Sequence, residues 1–378
     1  MTETESRIRT ATPADREGLL DLIDTAFSPK DGPRRSFAEE LPHLFTDARM
    51  GCHWIYEEAG KILGCIGLYP YDFRAGNVTF HAAGVGQVCT RPDARGKGIM
   101  STLLRSVCRE ADQYDFTYLW GDRLRYGRYG WAMGGATMRF ETFDKYLPAP
   151  PPEEQVRSFE PSDEVPMLQA ALAGAPEAIV MDDDELSPAI RGRHMTGRRM
   201  GDSFLLIDRS GKTVLLADGD AEEIALLLAH LARELRRQPG DQWRIVIECS
   251  PEPSPLLAAC QRHYWQVRRQ PAGMFRAGDL EGLLGKLAAL RNERIPGGSD
   301  RLSFVAADTK RPVTLTVADG KVEVTPAATD EGTPLPATAI SALCFGVCPP
   351  DLVAPLAPDS PFRAMLPWPL HVSHLFGL

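Results

Sequence analysis

Short strand-like runs and helical spacings alternate along the first 147 residues of this chain. Runs of apolar and β-branched side chains predict strands, at Ile8–Arg9, Cys52–Glu57, Ile62–Leu68, Asn77–Ala82, Val88–Thr90 and Thr117–Trp120. Apolar residues three and four positions apart predict helices, after Thr12-Pro13, near Phe37–Leu44 and from Ile99 onward. This alternation predicts one folded unit over residues 1–147.

A second region, residues 156–292, repeats the pattern weakly. A strand at Thr213–Ala217 leads into a helix and then into a strand at Arg244–Cys249. The helix carries apolar residues on one face, at Ile224, Leu227, Leu228, Leu231 and Leu235. Between the two regions, the four prolines of Leu147–Gln155 predict a linker.

The last region, residues 295–378, has shorter alternating runs. RLSFVAAD and PVTLTVADGKVEVTP predict strands, with Asp319-Gly320 as a hairpin turn, and ATAISALCFGV predicts a helix. These elements indicate a small α+β unit. The predicted fold class is therefore α/β (α+β), with domains at 1–147, 156–292 and 295–378.

The amino-acid composition indicates the class of protein and its expected location in the cell. With 378 residues and 43% hydrophobic content the chain can bury large cores, and it has no apolar run near the roughly 20 residues of a membrane span. The N-terminus lacks the apolar core of a signal peptide, so a cytoplasmic location is expected. A net charge of −9 argues against nucleic acid and favours cationic substrates.

The eight cysteines are scattered singly among apolar residues. This distribution predicts reduced core thiols rather than a disulfide framework. Cys344 and Cys348 have no further ligand residues nearby in the sequence, so we expect no metal.

A basic glycine loop, Arg95-Gly-Lys-Gly98, stands between a predicted strand and a predicted helix. The first turn of a helix carries unpaired N–H groups and the positive end of the peptide dipoles. Glycines let a ligand approach the backbone, and Arg95 and Lys97 add positive charge there. The loop therefore predicts a pyrophosphate site, and the alternative is a basic surface loop that only begins an ordinary helix.

The second region differs at the corresponding place. Its helix follows DGDAEE, Asp218–Glu223, which has four carboxylates where the first region has two cations. Carboxylates stabilise a helix N-terminus but repel a pyrophosphate. We therefore expect one pyrophosphate site per chain, in the first region.

The stretch Val88–Ile99 resembles the coenzyme A signature of the GCN5-related N-acetyltransferases, in which Arg/Gln-x-x-Gly-x-Gly/Ala follows a Val-rich strand. This sequence departs from the signature at Met100, where the family has a small residue. Two such units followed by a small α+β tail resemble the three-domain enhanced intracellular survival family. The likeness covers the whole chain in order, but it is motif-specific only between about residues 85 and 131.

The resemblance implies a fold, an activity and partners. It implies tandem acetyltransferase-like domains with mixed central sheets flanked by helices, and a last domain similar to a sterol carrier protein. It also implies direct transfer of an acetyl group from acetyl-CoA, without a metal, to a primary amine, such as a small cationic amine or a lysine side chain. A homo-oligomer is implied as well, and a hexamer is one such assembly.

The predicted cofactor-binding residues belong to the strand, the loop and the helix start. They are Val88, Cys89, Thr90, Arg95, Gly96, Lys97, Gly98, Ile99 and Met100. Val88–Thr90 are expected to act through backbone N–H groups, which can hold the thioester carbonyl at the end of a strand that splays from its neighbour. Their side-chain identity then matters little.

Aligning Tyr126-Gly-Arg128-Tyr129-Gly-Trp with the family pattern makes Tyr126 the general acid and Tyr129 a packing aromatic. The alternative is that both tyrosines only pack, as tyrosines often do. Arg128 is expected to support the turn. Asp122 is open to two interpretations, since it can face solvent or a cationic substrate.

The sequence marks the general base less clearly than the general acid. In the resembled family the C-terminal carboxylate reaches into the first domain, which here implies Leu378 as the second catalytic residue. His371 and His374 are the alternatives, because imidazoles titrate near neutrality.

Two further functions compete with an acetyltransferase. One is a non-catalytic protein that binds coenzyme A, acyl-CoA or a lipid, and the other is a scaffold that uses repeated domains for assembly. The charged glycine loop disfavours the scaffold. Tyr126 separates the enzyme from the binding protein, because a binding protein needs no acid beside the sulfur.

Overall fold

The computed structural model describes residues 7–237, 244–291, 295, 298–306, 312–318, 321–326, 332–354, 356–357 and 359–373. They divide into two compact units. The first consists of the described residues of Met1–Gly135 and Gly273–Pro369, and the second of those of Ala136–Ala272 and Leu370–Gly377. None of the helices in these ranges has the length and apolar composition that crossing a membrane requires.

The elements are numbered here in chain order. The strands are β1 Ile8–Thr10, β2 His53–Glu58, β3 Lys61–Ala75, β4 Val78–Thr90, β5 Phe116–Leu119, β6 Ala132–Gly134, β7 Thr137–Thr142, β8 Arg157–Phe159, β9 Glu177–Val180, β10 Thr196–Met200, β11 Ser203–Ile207, β12 Thr213–Asp218, β13 Ile245–Cys249, β14 Gln266–Gln270, β15 Gly273–Ala277, β16 Ser299–Ala306, β17 Pro312–Ala318, β18 Lys321–Pro326 and β19 Thr333–Leu335. The helices are α1 Arg16–Phe27, α2 Phe37–Glu40, α3 Ile99–Ala111, α4 Arg123–Tyr126, α5 Val165–Gly174, α6 Asp183–Gly192, α7 Ala221–Arg236, α8 Pro255–Arg262, α9 Leu280–Arg291, α10 Ala337–Phe345 and α11 Phe362–Met365.

The first unit contains two sheets. Its larger sheet has the order β1-β2-β3-β4-β5-β15-β6, in which β4 and β5 run parallel and the other neighbours run antiparallel. Its smaller sheet has the order β18-β17-β16-β19. Helix α3 packs on β2, β3 and β4 and buries Leu103, Leu104 and Val107, each of which contributes about 1.5–3 kcal/mol.

The second unit is built around one mixed sheet of the order β14-β7-β13-β12-β11-β10-β8, in which β12 and β13 run parallel. Helix α7 covers this sheet with an apolar face of leucines and one isoleucine, as the sequence predicts. Both units therefore combine a mixed sheet with flanking helices, and the predicted α/β fold class with tandem units is confirmed. The likeness of the last region to a sterol carrier protein stays a prediction.

Two strands belong to a different unit from the one that the predicted domain boundaries imply. Strand β7 lies in the predicted domain 1–147 but pairs with β13 and β14 in the second unit. Strand β15 lies in the predicted domain 156–292 but pairs with β5 and β6 in the first. The elements of the last region belong to the first unit as well. Strand pairing joins distant residues, so hydrophobic periodicity gives no signal for it.

Most of the predicted elements lie where the sequence puts them, with two differences in the first unit. The predicted strands at Asn77–Ala82 and Val88–Thr90 are parts of the single long strand β4. The predicted helix Phe37–Leu44 is interrupted, because Pro42 disfavours a helical conformation at Leu41, and the chain continues as a 3-10 turn at Pro42–Phe45. The predicted hairpin turn Asp319-Gly320 lies outside the described residues.

A histidine is completely buried in the first unit. His53, on β2, stacks on Phe45 at 5.1 Å between ring centroids and meets the edge of Tyr69 at 5.4 Å. Burial lowers the pKa of the His53 imidazole to about 4, against a hydrogen bond from the protonated ring to the Met50 carbonyl that favours the charged form. The ring is therefore neutral in the folded protein at neutral pH.

We expect the free energy of unfolding to fall by up to about 3 kcal/mol as the pH is lowered from about 6.5 to about 4. In this window the unfolded chain binds a proton at His53 that the folded chain does not bind, so acid favours unfolding. Urea unfolding of the protein and of a His53→Gln variant at several pH values measures the effect. The variant should lose less stability over the same window, and an equal loss in both proteins would contradict the assignment.

Candidate active site

The larger sheet of the first unit opens between its two parallel strands. Pairing between β4 and β5 extends only from Ala82 opposite Phe116 to Gly84 opposite Tyr118. Beyond Gly84, β4 continues to Thr90, and no strand of the described part of the chain pairs with that edge. The edge therefore offers backbone N–H and C=O groups to a ligand, as an extended partner strand would use them.

A β-bulge lies within the unpaired part of β4. Its register with β3 passes from Gly67 opposite Gly86 to Cys65 opposite Cys89, so that Gln87 and Val88 together face one residue. Gln87 has a φ of +48°, a left-handed conformation that is uncommon for a residue with a side chain. A bulge of this kind bends the strand and redirects the groups that follow it.

The strand after the bulge turns one amide toward the opening. The Arg91 N–H donates to the Leu63 carbonyl on β3 at 2.8 Å. Since hydrogen-bonding direction alternates along an antiparallel strand, the backbone of Thr90 faces the opposite side, where β5 has ended. The Thr90 hydroxyl is also buried without a hydrogen-bond partner among the described residues. Two polar groups of Thr90 are thus available at the opening.

The glycine loop that follows β4 has the conformation that its sequence requires. Gly96 and Gly98 have φ values of +81° and +77°, where a side chain causes strain. A Cβ at either position would meet no atom within 4 Å, so the space above the loop is open. Helix α3 begins at Ile99, and no side chain caps its first turn. The first turn of α3 therefore has N–H groups available to an anion.

Two cations stand at this helix start. Arg95 and Lys97 are exposed, and neither forms an ion pair with another described residue. The other charges of the segment are paired, since Arg91 bonds Asp21 at 2.6 Å and Lys61 bonds the carboxylate of the neighbouring turn at 3.4 Å. The arrangement fits a doubly charged anion such as a pyrophosphate.

Met100 departs from the small residue of the resembled signature without blocking the loop. Its side chain is half-buried and packs against the hydrophobic cluster that contains Ile99 and Leu103. The bulk of Met100 is thus directed into the core of the first unit.

The second unit lacks this anion site at its matching helix. The Asp220 carboxylate accepts hydrogen bonds from the N–H groups of Glu222 at 2.9 Å and Glu223 at 3.1 Å. Ser203 donates to the Glu223 carboxylate at 2.6 Å. Carboxylates of the chain itself therefore occupy the start of α7.

Tyr126 lies at the end of a short helix that faces the same hydrophobic cluster. Asp122 caps this helix by accepting from the Leu124 N–H at 2.8 Å, so its carboxylate is engaged with the backbone. The buried ring of Tyr126 meets Trp131 edge-on at 6.3 Å. A Cβ on Gly121 would come within 2.3 Å of the Tyr126 ring, so a glycine is required there.

The phenol of Tyr126 is held in its protonated form. Burial raises its pKa, and the charge of the Asp122 carboxylate acts in the same direction. The Arg125 guanidinium opposes this shift through a hydrogen bond and its charge. A protonated phenol that a cation also polarises has the properties of a general acid.

Sequence reasoning missed one residue that supports this loop. Arg276, on β15, is 4% exposed, and its Nε donates to the Tyr129 carbonyl at 3.1 Å. Its Nη2 pairs with Asp112 at 2.6 Å, and the guanidinium lies 5.7 Å from the Trp131 ring centroid. No local pattern marks Arg276, because its partners are more than 140 positions away in the sequence.

Of the three candidate bases, His371 alone lies among the described residues. Leu378 and His374 lie outside the described residues. His371 is buried in the second unit, where its Nδ1 lies 3.0 Å from the Thr137 hydroxyl and its backbone N–H donates to Glu177 at 3.0 Å. These bonds give His371 a structural role. The described ranges also contain no group of His, Cys, Asp and Glu side chains that could hold a metal ion.

Comparison with known proteins identifies a family model that matches the part of the chain that contains this site. Residues 7–134, which contain β4, the glycine loop and Tyr126, match the family model described as the acetyltransferase (GNAT) domain. A search of curated proteins finds no match.

Solved structures share the fold over nearly the whole chain. A GCN5-related N-acetyltransferase from Kribbella flavida is 18% identical over 89% of this chain and 87% of its own, with a TM-score of 0.65. One from Anabaena variabilis is 15% identical over 96% and 98%, with a TM-score of 0.68. Eis1 from Mycobacterium abscessus is 15% identical over 98% and 100%, with a TM-score of 0.64. The similarity in fold thus extends through all three regions of the sequence.

Proposed function

We propose that this chain, whose residues 7–134 are an acetyltransferase (GNAT) domain, transfers the acetyl group of acetyl-CoA directly to a primary amine. One observation carries the proposal. The uncapped start of α3, where Arg95 and Lys97 form no ion pair with a described residue, lies directly after the strand whose far edge is open. The buried Tyr126 belongs to the same hydrophobic cluster as Ile99 at that helix start, and Val88 packs against this cluster.

In the proposed reaction, the loop Arg95–Gly98 holds the pyrophosphate of the cosubstrate and aligns its thioester along β4. A backbone N–H of Val88–Thr90 donates to the thioester oxygen, which becomes negative when the amine nitrogen attacks the carbonyl carbon. When the carbon–sulfur bond breaks, Tyr126 gives its phenolic proton to the departing thiolate. A base takes the proton that the amine loses.

The acceptor that we propose is a small cationic amine or a lysine side chain. The net charge of −9 favours such substrates over anionic ones. Attack requires the neutral amine, so a base near the acceptor would increase the reactive fraction.

We expect one acetyl-CoA site per chain. Arg95→Glu combined with Lys97→Glu should weaken acetyl-CoA binding by about tenfold or more, because two charge-assisted hydrogen bonds become repulsions. Calorimetry measures the affinity and the stoichiometry. The matched control is the pair Asp220→Asn and Glu222→Gln at the start of α7, which should leave both unchanged. Two equivalent sites, or none, would contradict the expectation.

Tyr126→Phe should reduce turnover by about 10²–10⁴-fold with little change in the affinity for acetyl-CoA, because it removes the proton and keeps the ring. Tyr129→Phe is the control, since the carbonyl of Tyr129 and not its hydroxyl makes the structural bonds. Thiol release from acetyl-CoA, measured over a panel of amines, gives the rates. A protein that binds acetyl-CoA but turns over no amine would favour a binding function instead.

The base that we propose, on the family resemblance alone, is the carboxylate of Leu378. A short polar extension beyond Leu378 displaces that carboxylate, so we expect turnover to fall with the affinity for acetyl-CoA retained. A matched extension before Met1 should have no effect. If the C-terminally extended protein turns over at the native rate, the base must be another group.

A further inference from the structure

Three buried polar side chains form a chain of hydrogen bonds across the larger sheet of the first unit. His53 on β2 places its Nε2 3.0 Å from the Tyr69 hydroxyl on β3. The same hydroxyl donates a hydrogen bond to the Gln87 side-chain carbonyl on β4. Because the hydroxyl proton goes to Gln87, the neutral His53 ring donates from Nε2 to the Tyr69 oxygen, and its Nδ1, 3.2 Å from the Met50 carbonyl, carries no proton. All three side chains are at most 5% exposed.

The backbone of β3 makes room for this chain of bonds. A Cβ on Gly67 would lie 2.2 Å from the Tyr69 hydroxyl oxygen. The ring of Tyr69 therefore occupies the place of a side chain at Gly67 and reaches back along its own strand toward β4. Gly67 is also paired with Gly86, the residue just before Gln87. The Tyr69 hydroxyl therefore lies beside the bulge.

The left-handed backbone conformation of Gln87 requires a hydrogen-bond partner that holds its side chain. A residue with a Cβ is strained at a φ of +48°, and it persists there only where surrounding interactions fix it. A buried amide group without a hydrogen bond is also costly. The Tyr69 hydroxyl donates to the side-chain amide oxygen of Gln87. The fixed position of this side chain in turn holds the Gln87 backbone in its left-handed conformation.

We propose that Tyr69 and His53 are positioning residues for acetyl transfer, because they hold Gln87 in the bulge that aims the Thr90 amide at the opening beside β5. The inference rests on the proposed function of this amide as a donor to the thioester oxygen. Neither side chain touches the reacting atoms, and the Arg95–Gly98 loop lies at the other end of the segment. Loss of the bulge therefore affects the chemical step rather than cosubstrate affinity.

Four variants test this role. Tyr69→Phe removes only the hydroxyl and leaves the amide of Gln87 and Nε2 of His53 without their partner. We expect kcat to fall about 10–100-fold with the KM for acetyl-CoA little changed, because displaced oxyanion donors weaken transition-state binding alone. Gln87→Gly removes the amide and tolerates the positive φ, so its kcat should stay within about threefold of the native value. Gln87→Ala keeps the strain and loses the bond, and its kcat should fall as in Tyr69→Phe.

The decisive variant is the double substitution Tyr69→Phe with Gln87→Gly. Glycine adopts the bulge without help, so we expect the double variant to recover most of the kcat that Tyr69→Phe loses. A general loss of stability in Tyr69→Phe would not be repaired by a glycine in a strand, which itself weakens the fold. A native kcat in Tyr69→Phe, or no recovery in the double variant, would overturn the proposal.

Hydrogen exchange of the segment 85–90 provides a readout that is independent of turnover. Exchange should increase in Tyr69→Phe and return toward the native pattern in the double variant. If the native protein turns over no amine, the proposed function fails, and the exchange data still decide whether Tyr69 holds the bulge. Unchanged exchange in Tyr69→Phe would overturn the positioning role whether or not the native protein is active.

Discussion

The rest of the site depends on the short parallel pairing between β4 and β5, which ends well before β4 does. Strands β4 and β5 share only three residue pairs, and β4 then continues for six residues, Val85–Thr90, without a partner on that side among the described residues. Unpaired backbone in a protein interior is costly unless a ligand or solvent uses it. The opening is therefore tolerated only because it leads to the surface at the glycine loop. A substrate that lies along β4 would satisfy groups that the fold itself leaves unpaired.

The two units show how one architecture supports different chemistry. Each has a helix that follows a central strand of a mixed sheet, α3 in the first unit and α7 in the second. At α3 a glycine in a left-handed conformation begins the helix, and the first N–H groups remain available. At α7 the Asp220 side chain accepts from those groups. A few residues at a helix start thus decide whether its first N–H groups are available to an anion or are capped by the chain itself.

The sequence predicts the local part of this site and misses the distant part. The loop Arg95–Gly98, the start of α3 and the buried Tyr126 all lie within one short segment, where glycines, charges and helical spacing mark them. The bulge at Gln87 depends on its register with β3, which the sequence pattern does not specify. Arg276 bonds residues more than 140 positions away, and the bonds of Tyr69 cross from β3 to its neighbours β2 and β4. Such contacts become visible only when the order of strands in the sheet is known.

Strand β15 has a consequence for the order in which the protein can be assembled. It lies between β5 and β6 in the sheet that carries the site, yet it is made of residues 273–277. During synthesis the first unit must wait for more than half of the chain before this sheet can close, and until then the edge of β5 stays open to wrong partners. Arg276 arrives with the same strand and bonds the turn after Tyr126. This bond to the loop after Tyr126 can therefore form only when a segment translated much later has joined the sheet.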